Sequence, residues 1–327
     1  MGTDTGGSIR GPVAANALVG IKPTQGLSSR AGIIPFSDSY DVSGPMARTV
    51  TDAAKVLNVI SEVDAEDPST YRGVGQREDD YTQFLDIERV EGVQLGIARD
   101  FFGGNAEVDD AIDLTIESLE GLEMDIIDPI TLPEEAIDSI NDIYYTVAET
   151  EFKHYLGEYL ADLPESPADS LEEVVEISSE DKFLIDEDVL DRLISAANRE
   201  PITGTDYTNT IKTGQQMIQD TLTITFEDHD IDALVAPGSA CPPEPVPSAG
   251  DVEYECKSTP FRSALANISG YPEVSVPAGF TDAGLPISID FLGLEFSEPT
   301  LLTIAYGYER EAEHRQPPEE YGSLSDS

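Results

Sequence analysis

Residues 2–10 read Gly-Thr-Asp-Thr-Gly-Gly-Ser-Ile-Arg, a serine presented by two consecutive glycines with an acid before it and a base after it. Gly6 and Gly7 carry no Cβ, so the backbone there can take angles closed to other residues and let a ligand approach the main chain. The N–H groups of Thr5, Gly6 and Gly7 are placed to converge on a developing oxyanion, often the greatest single contribution to acyl-transfer catalysis. Ser8 would then stand beside that hole as a nucleophile. Asp4 and Arg10 flank it, and an Arg–carboxylate fork between them would brace the loop. Two other readings stand beside this one. A tight Gly-rich turn into a strand accounts for the same nonapeptide, whereas a phosphate cradle needs Gly-Lys-Ser/Thr after its glycines and none follows.

A serine hydroxyl needs a base within hydrogen-bond reach. The chain has three histidines. His154 and His314 stand in charged, helix-like stretches (EFKHYL and EAEHRQ), and His229 stands in FEDHDID before an apolar run. None lies in a Gly-rich or Pro-turn context, so each reads as a surface side chain and a Ser-His-Asp triad is disfavoured.

Outward from the loop, Gly2–Ile60 (GTDTGGSIRGPVAANALVGIKPTQGLSSRAGIIPFSDSYDVSGPMARTVTDAAKVLNVI) is one continuous motif-bearing block. A second block covers Asn267–Leu292 (NISGYPEVSVPAGFTDAGLPISIDFL), followed by Phe296-Ser-Glu-Pro-Thr-Leu-Leu. In content and order these blocks resemble the amidase signature family of serine hydrolases. That resemblance implies an α/β fold, the C-terminal portion of the amidase signature fold, with a mixed β-sheet core sandwiched by helices and a helical cap region. It implies a Ser–cis-Ser–Lys triad with no histidine. By the same resemblance Ser8 is the nucleophile, the amides of Thr5, Gly6 and Gly7 form the oxyanion hole, and Asp4 and Arg10 support the loop. The family places its lysine and its bridging serine upstream of the nucleophile, where this chain has seven residues. The chain is therefore expected to be the C-terminal two-thirds of such an enzyme, with an open sheet edge and exposed core, whether through gene truncation or a mis-assigned start codon.

Six lysines are candidates to stand in for the base: Lys22, Lys55, Lys153, Lys182, Lys212 and Lys257. A lysine must be desolvated to be neutral near pH 7, and none has an apolar surround in sequence. Lys22, in Gly20-Ile-Lys-Pro-Thr, reads as a packing or ion-pairing residue.

The formal net charge is −47, from 65 acidic against 18 basic side chains. The acids are spread through the chain, as in the stretch Glu107–Asp128, and do not form one tail. Such repulsion destabilises a compact state in dilute buffer, a condition halophiles meet with salt. A halophilic, cytoplasmic setting explains the charge better than a basic partner does. With 39% hydrophobic residues and clear periodicity, disorder is excluded as the explanation. The same acidity argues against nucleic acid as a partner. No apolar run approaches the roughly 18 residues of a transmembrane helix, so no membrane partner is expected. Cys241 and Cys256 are the two cysteines, too few for a secreted disulfide framework, and both are expected as free thiols.

Periodicity organises the remainder. Thr49-x-x-Asp52 opens a helix in capping-box style, with Val50, Ala53, Ala54, Leu57 and Ile60 at helical spacing. Val93–Ala98 reads as a strand, Val108–Leu119 as a helix and Met124–Ile127 as a strand, an alternation that argues for α/β layering. Residues 133–230 read as mostly helical, with Ile185, Val189, Leu193 and Ala197 as one stripe, and are expected to cap the substrate pocket. Strands return at Ala233–Ala236, Val274–Val276 and Ile287–Leu292, then a helix near 297–314. The whole is expected to be a single domain, 1–327, with a frayed tail at 317–327.

The expected function is amide hydrolysis through a serine acyl-enzyme, without cofactor or metal, on a small-molecule amide, with a homodimer left open. Two alternatives are kept. One is the A subunit of a glutamyl-tRNA(Gln) amidotransferase, whose usual Lys-Pro-Thr-Tyr-Gly-Arg-Val differs from Lys22-Pro-Thr-Gln-Gly-Leu-Ser here. The other is a non-catalytic fragment or pseudoenzyme.

Overall fold

The computed structural model describes residues 1–180, 185–246 and 254–316; Lys182 and the tail at 317–327 lie outside them. The strands are β1 (Gly2–Asp4), β2 (Val19–Lys22), β3 (Val42–Gly44), β4 (Met46–Ala47), β5 (Gln94–Ala98), β6 (Asp125–Ile130), β7 (Ala233–Pro237), β8 (Glu273–Phe280) and β9 (Pro286–Leu292). Seven of them form one mixed sheet in the order β4-β2-β8-β9-β7-β5-β6. Strands β5, β6 and β7 pair in parallel, and the remaining neighbours pair antiparallel. β1 and β3 make a separate two-stranded ribbon. The expected mixed sheet sandwiched by helices is thus present.

Alternation of side chains along the strands makes the sheet two-sided. In β7, Ala233 and Val235 enter one core while Leu234 and Ala236 enter the other. The first core is covered by α2 (Val50–Ile60), α3 (Ala106–Gly121) and α10 (Glu298–Ala312), through Leu57, Ile112 and Leu301 among others. The second is covered by α4 (Glu134–Ala161), α8 (Gln215–His229) and α9 (Ser263–Ser269). Local signals set the helix ends. The Thr49 side chain accepts the Asp52 N–H at 3.1 Å, closing the N-terminus of α2, and Gly270 ends α9 in the left-handed region at φ 80°, where glycine is unstrained.

Helix α4 explains how the cap is attached. Ala136, Ile140, Ile143, Val147 and Ala148 recur on one face and bury in the second core. The C-terminal half of the same helix turns Leu156 into a small satellite cluster with α5 (Leu171–Ser178) and α6 (Glu187–Ala197). In the expected stripe, Leu193 and Ala197 pack into that cluster, while Val189 is half exposed at 48%. A short helix α7 (Thr205–Asn209) runs through a π turn at Thr210–Gly214 into α8. There Gly214 is required by contact, because a Cβ would meet the Ile143 side chain.

The free-thiol expectation for Cys241 and Cys256 is corrected: the two form a disulfide, with Cα atoms 5.6 Å apart. Sequence spacing could not show this, because the pairing depends on where the loop between β7 and α9 returns. The Lys257 N–H bonds to the Gly104 carbonyl at 2.9 Å, and the Tyr254 hydroxyl donates to the Pro242 carbonyl at 3.0 Å, bringing the two limbs together. With a separation of 15 residues, loop closure is worth about 3 kcal/mol. Replacing both cysteines by serine is expected to lower the unfolding free energy by about that amount, measured as a reduced denaturant midpoint. An unchanged midpoint would contradict the link.

Candidate active site

Ribbon β1–β3 delivers the loop. The pairing Asp4↔Val42 sets Thr5 beside Asp41, to which the Thr5 hydroxyl hydrogen-bonds. Asp41 also accepts the N–H groups of Phe36 and Ser37 at 2.8 and 2.9 Å. Burial raises the Asp41 carboxyl, and these bonds hold against it. Beyond the ribbon, residues 5–9 turn sharply into α1 (Arg10–Ala15), whose first turn is tied back by Gly11 N–H to Gly7 carbonyl at 2.7 Å. Both glycines are needed. A Cβ on Gly6 would collide with the Tyr144 hydroxyl, and Gly7 sits at φ 123°, in the positive-φ range that favours glycine, against Ser263.

The bracing expected from Asp4 and Arg10 is one part of a larger buried network. Arg10 Nε donates to Asp4 Oδ2 at 3.1 Å, and a terminal nitrogen donates to Oδ1 at 3.0 Å. The other side of the guanidinium reaches Glu273 and the Ser263 carbonyl. Asn267 accepts from Arg10 and donates to Asp4. Arg262 joins Glu273 to Asp290. Burial alone would raise Asp4, but the Arg10 guanidinium outweighs it and holds the carboxyl well below the usual range. Asp290 moves the other way: burial raises it, opposed by Arg262. Sequence reading misses Glu273, Arg262, Asn267 and Asp290. The available signal is a charged residue inside an apolar strand, as with Glu273 ahead of Val274 and Val276.

Of the three amides expected in the oxyanion hole, Gly7 is engaged elsewhere, its N–H donating to Asp4 Oδ1 at 2.8 Å. The Gly6 carbonyl accepts the Ser263 hydroxyl at 2.8 Å, so the Gly6–Gly7 peptide is gripped at both ends. Thr5 and Gly6 keep N–H groups without an acceptor among the described residues.

Ser8 is exposed and lines a cleft of about 510 Å³. The cleft lies under α4 and α6, with Tyr144, Phe152 and Leu193 in its walls. Among the described residues no histidine and no lysine lines it. His154 stands 3.4 Å from Glu158 on α4, and His314 is half-buried near Tyr308, its pKa lowered by burial. Lys22 corrects the expectation that no lysine is desolvated. It is fully buried in β2, donating to the Tyr271 and Pro23 carbonyls at 2.9 and 3.2 Å. Burial, reinforced by the nearby Arg10 charge, pushes it down to about 7. Its surroundings come from residues far away in sequence, and its hydrogen bonds go to carbonyls.

A loop of this build on a mixed sheet between helices defines an amidase-type scaffold, and comparison with known proteins agrees. The chain matches the Amidase family over residues 1–302, and it belongs to the amidase signature family. It is 34% identical over 316 residues to the A subunit of the glutamyl-tRNA(Gln) amidotransferase of Myxococcus xanthus (strain DK1622), covering 95% of this chain and 63% of that protein. To a probable amidase of Arabidopsis thaliana it is 32% identical over 324 residues, covering 97% and 57%. Among solved structures, the native peptide amidase from Stenotrophomonas maltophilia superposes with a TM-score of 0.82 at 31% identity, over 97% of this chain and 63% of that one. The chain thus spans roughly three-fifths of these relatives' length. Among the described residues no helix is long and apolar enough to cross a membrane.

Proposed function

We propose that the chain carries the nucleophile and substrate cleft of an amidohydrolase. Ser8 Oγ attacks the carbonyl carbon of a carboxamide, the Thr5 and Gly6 amides receive the oxyanion, ammonia or an amine leaves, and water clears the acyl-serine. The observation that carries this reading is an exposed serine lining a 510 Å³ cleft, on a loop whose Gly6–Gly7 peptide is fixed by Asp4 and Ser263. Such preorganisation is what stabilises developing charge without reorganisation. The resemblance assigns the proton-accepting role to a lysine and a second serine, and no described residue in the cleft takes it.

Prolonged exposure to a fluorophosphonate is expected to modify Ser8 alone. Ser8→Ala should abolish labelling, and replacing His154, His229 or His314 should leave it intact. A modified peptide lacking Ser8 would overturn the assignment. Turnover of simple amides by the 327-residue chain is expected to stay at a residual level, on the order of 10³–10⁴ over the uncatalysed rate. Fast turnover abolished by Ser8→Ala would place a base within these residues.

A second reading, the A subunit of a glutamyl-tRNA(Gln) amidotransferase, is favoured by the 34% identity to that protein from Myxococcus. Against it stands the segment Lys22–Ser28, which departs from that subunit's usual sequence. Genes for partner subunits beside this one would favour it.

A further inference from the structure

The walls of the Ser8 cleft are chemically one-sided. The chain has 11 Phe, 13 Tyr and no Trp, yet five of those rings, Phe36, Tyr144, Tyr145, Phe152 and Phe261, line this one cleft. They also pack on each other. Phe36 stacks on Phe152 with centroids 4.6 Å apart, and Tyr144 meets Phe261 edge-on at 5.0 Å and Tyr145 at 5.2 Å. Val189 and Leu193 of α6 close the wall with aliphatic carbon. The ring positions are fixed from behind. Asp41 holds the Phe36 amide, and Glu151 ties Ser37 and Ser39 to α4, accepting the Ser39 N–H at 2.9 Å. Such a wall gains little from a small polar amide and much from a planar apolar group, since ring pairs add about 0.5–1.5 kcal/mol beyond area burial.

Charge narrows the class further. Two ionisable side chains line the cleft besides its tyrosines, Glu149 and Arg192. Glu149 is already taken by Arg199 at 2.7 Å and by the Ser195 hydroxyl at 3.0 Å. Arg192 has no carboxylate partner among the described residues, although acids outnumber bases 65 to 18 in the chain. The unspent charge in the cleft is therefore positive, which disfavours a cationic ring despite the aromatic faces.

Resting on the amidohydrolase reading, we propose that the Ser8 cleft selects carboxamides bearing an aromatic or similarly bulky apolar group, neutral or anionic, over small polar amides such as glutamine and over cations. Ligand-observed NMR titrations of the chain in molar KCl with phenylacetamide, acetamide, glutamine and benzamidine test this without requiring turnover. Phenylacetamide is expected to bind about tenfold or more tightly than acetamide and glutamine, the sum of two or three ring contacts, and more tightly than benzamidine, whose cation faces Arg192. Phe36→Ala and Val189→Asp both alter residues exposed enough to spare the fold, at 38% and 48%, and each is expected to weaken phenylacetamide about fivefold with an unchanged circular dichroism spectrum. Equal or tighter binding of acetamide, glutamine or benzamidine overturns the proposal, as does failure of phenylacetamide to bind, or its undiminished binding to both variants. Fluorophosphonate labelling of the same samples separates nucleophile from selectivity. Ring selectivity without Ser8 labelling removes the nucleophile assignment alone, and Ser8 labelling without ring selectivity removes the aromatic preference alone.

Discussion

Arg10→Leu is expected to cost about 3–5 kcal/mol, the penalty for removing one partner of a buried charge pair, out of a typical total of about 5–15 kcal/mol. The size follows from what is left behind. Arg10 is fully buried and bonds to Asp4, Glu273 and Asn267 at once, so its loss leaves Asp4 buried without a cation, while Glu273 keeps Arg262. The pH dependence distinguishes this from simple loss of packing. In the parent chain the Asp4 carboxyl lies below its ordinary value, so its contribution is present above the unfolded pKa near 4 and is lost as pH falls through the lower folded value. Without Arg10 the hydrogen bonds from Ile9 and Asn267 remain, but the strongest opposition to burial is gone and the Asp4 pKa rises. That carboxyl then gains stability on protonation as pH falls. The difference in unfolding free energy between parent and variant should therefore shrink between pH 7 and pH 4, with surface charge common to both and cancelling. Denaturant titrations at the two pH values measure it. A pH-independent difference, or one under about 1 kcal/mol, would mean that the network does not carry the loop.

The legible and the illegible parts of this molecule divide along local and long-range lines. Helix α2 spans residues 50–60 in sequence pattern and structure alike, because its cap and its apolar spacing are local. The strands at 94–98 and 233–237 are likewise visible as short apolar runs. Strand β2 is not legible as a strand: Val19-Gly-Ile-Lys holds two apolar residues with a buried lysine at its end, and its place beside β8 is settled by partners some 250 residues away. The desolvation of Lys22 shares that cause, and the disulfide, though its cysteines are 15 residues apart, depends on the return of a loop tied at Gly104. The loop's chemistry is legible in residue type, since Ser8, Asp4 and Arg10 occupy one short stretch. Its hydrogen-bond directions are not. Only the fold shows that the Gly7 amide turns to Asp4 and that Ser263 holds the Gly6 carbonyl.

The second large effect is expected from salt. The excess of 65 − 18 = 47 acids is spread over loops and helices on every described segment. Few of the surface carboxylates have a cation at hand. The ion pairs at the surface, such as Lys55–Asp52 at 3.6 Å and Arg72–Glu295 at 2.6 Å, use up a small share of them and are each worth about 1 kcal/mol or less. At roughly 0.01 M ionic strength the Debye length is about 30 Å, so nearly all acids on the molecule feel one another; at about 1 M it is roughly 3 Å and the long-range repulsion is screened out. Repulsion summed over dozens of carboxylates is of the same order as the marginal stability of a domain, about 5–15 kcal/mol. The chain should therefore lose structure below a threshold of salt and regain it in molar KCl, the proposal of a halophilic setting stated in measurable form. The buried Asp4–Arg10–Glu273 cluster predicts where salt does not help, because screening hardly reaches a pair whose side chains are about 1% exposed. Arg10→Leu should accordingly keep its deficit at every salt concentration at which both proteins fold. Circular dichroism melts across a KCl titration read both effects together. A melting point unchanged between dilute buffer and molar salt would refute the halophilic reading, and a deficit that salt erases would show the Arg10 cluster to be solvent-screened.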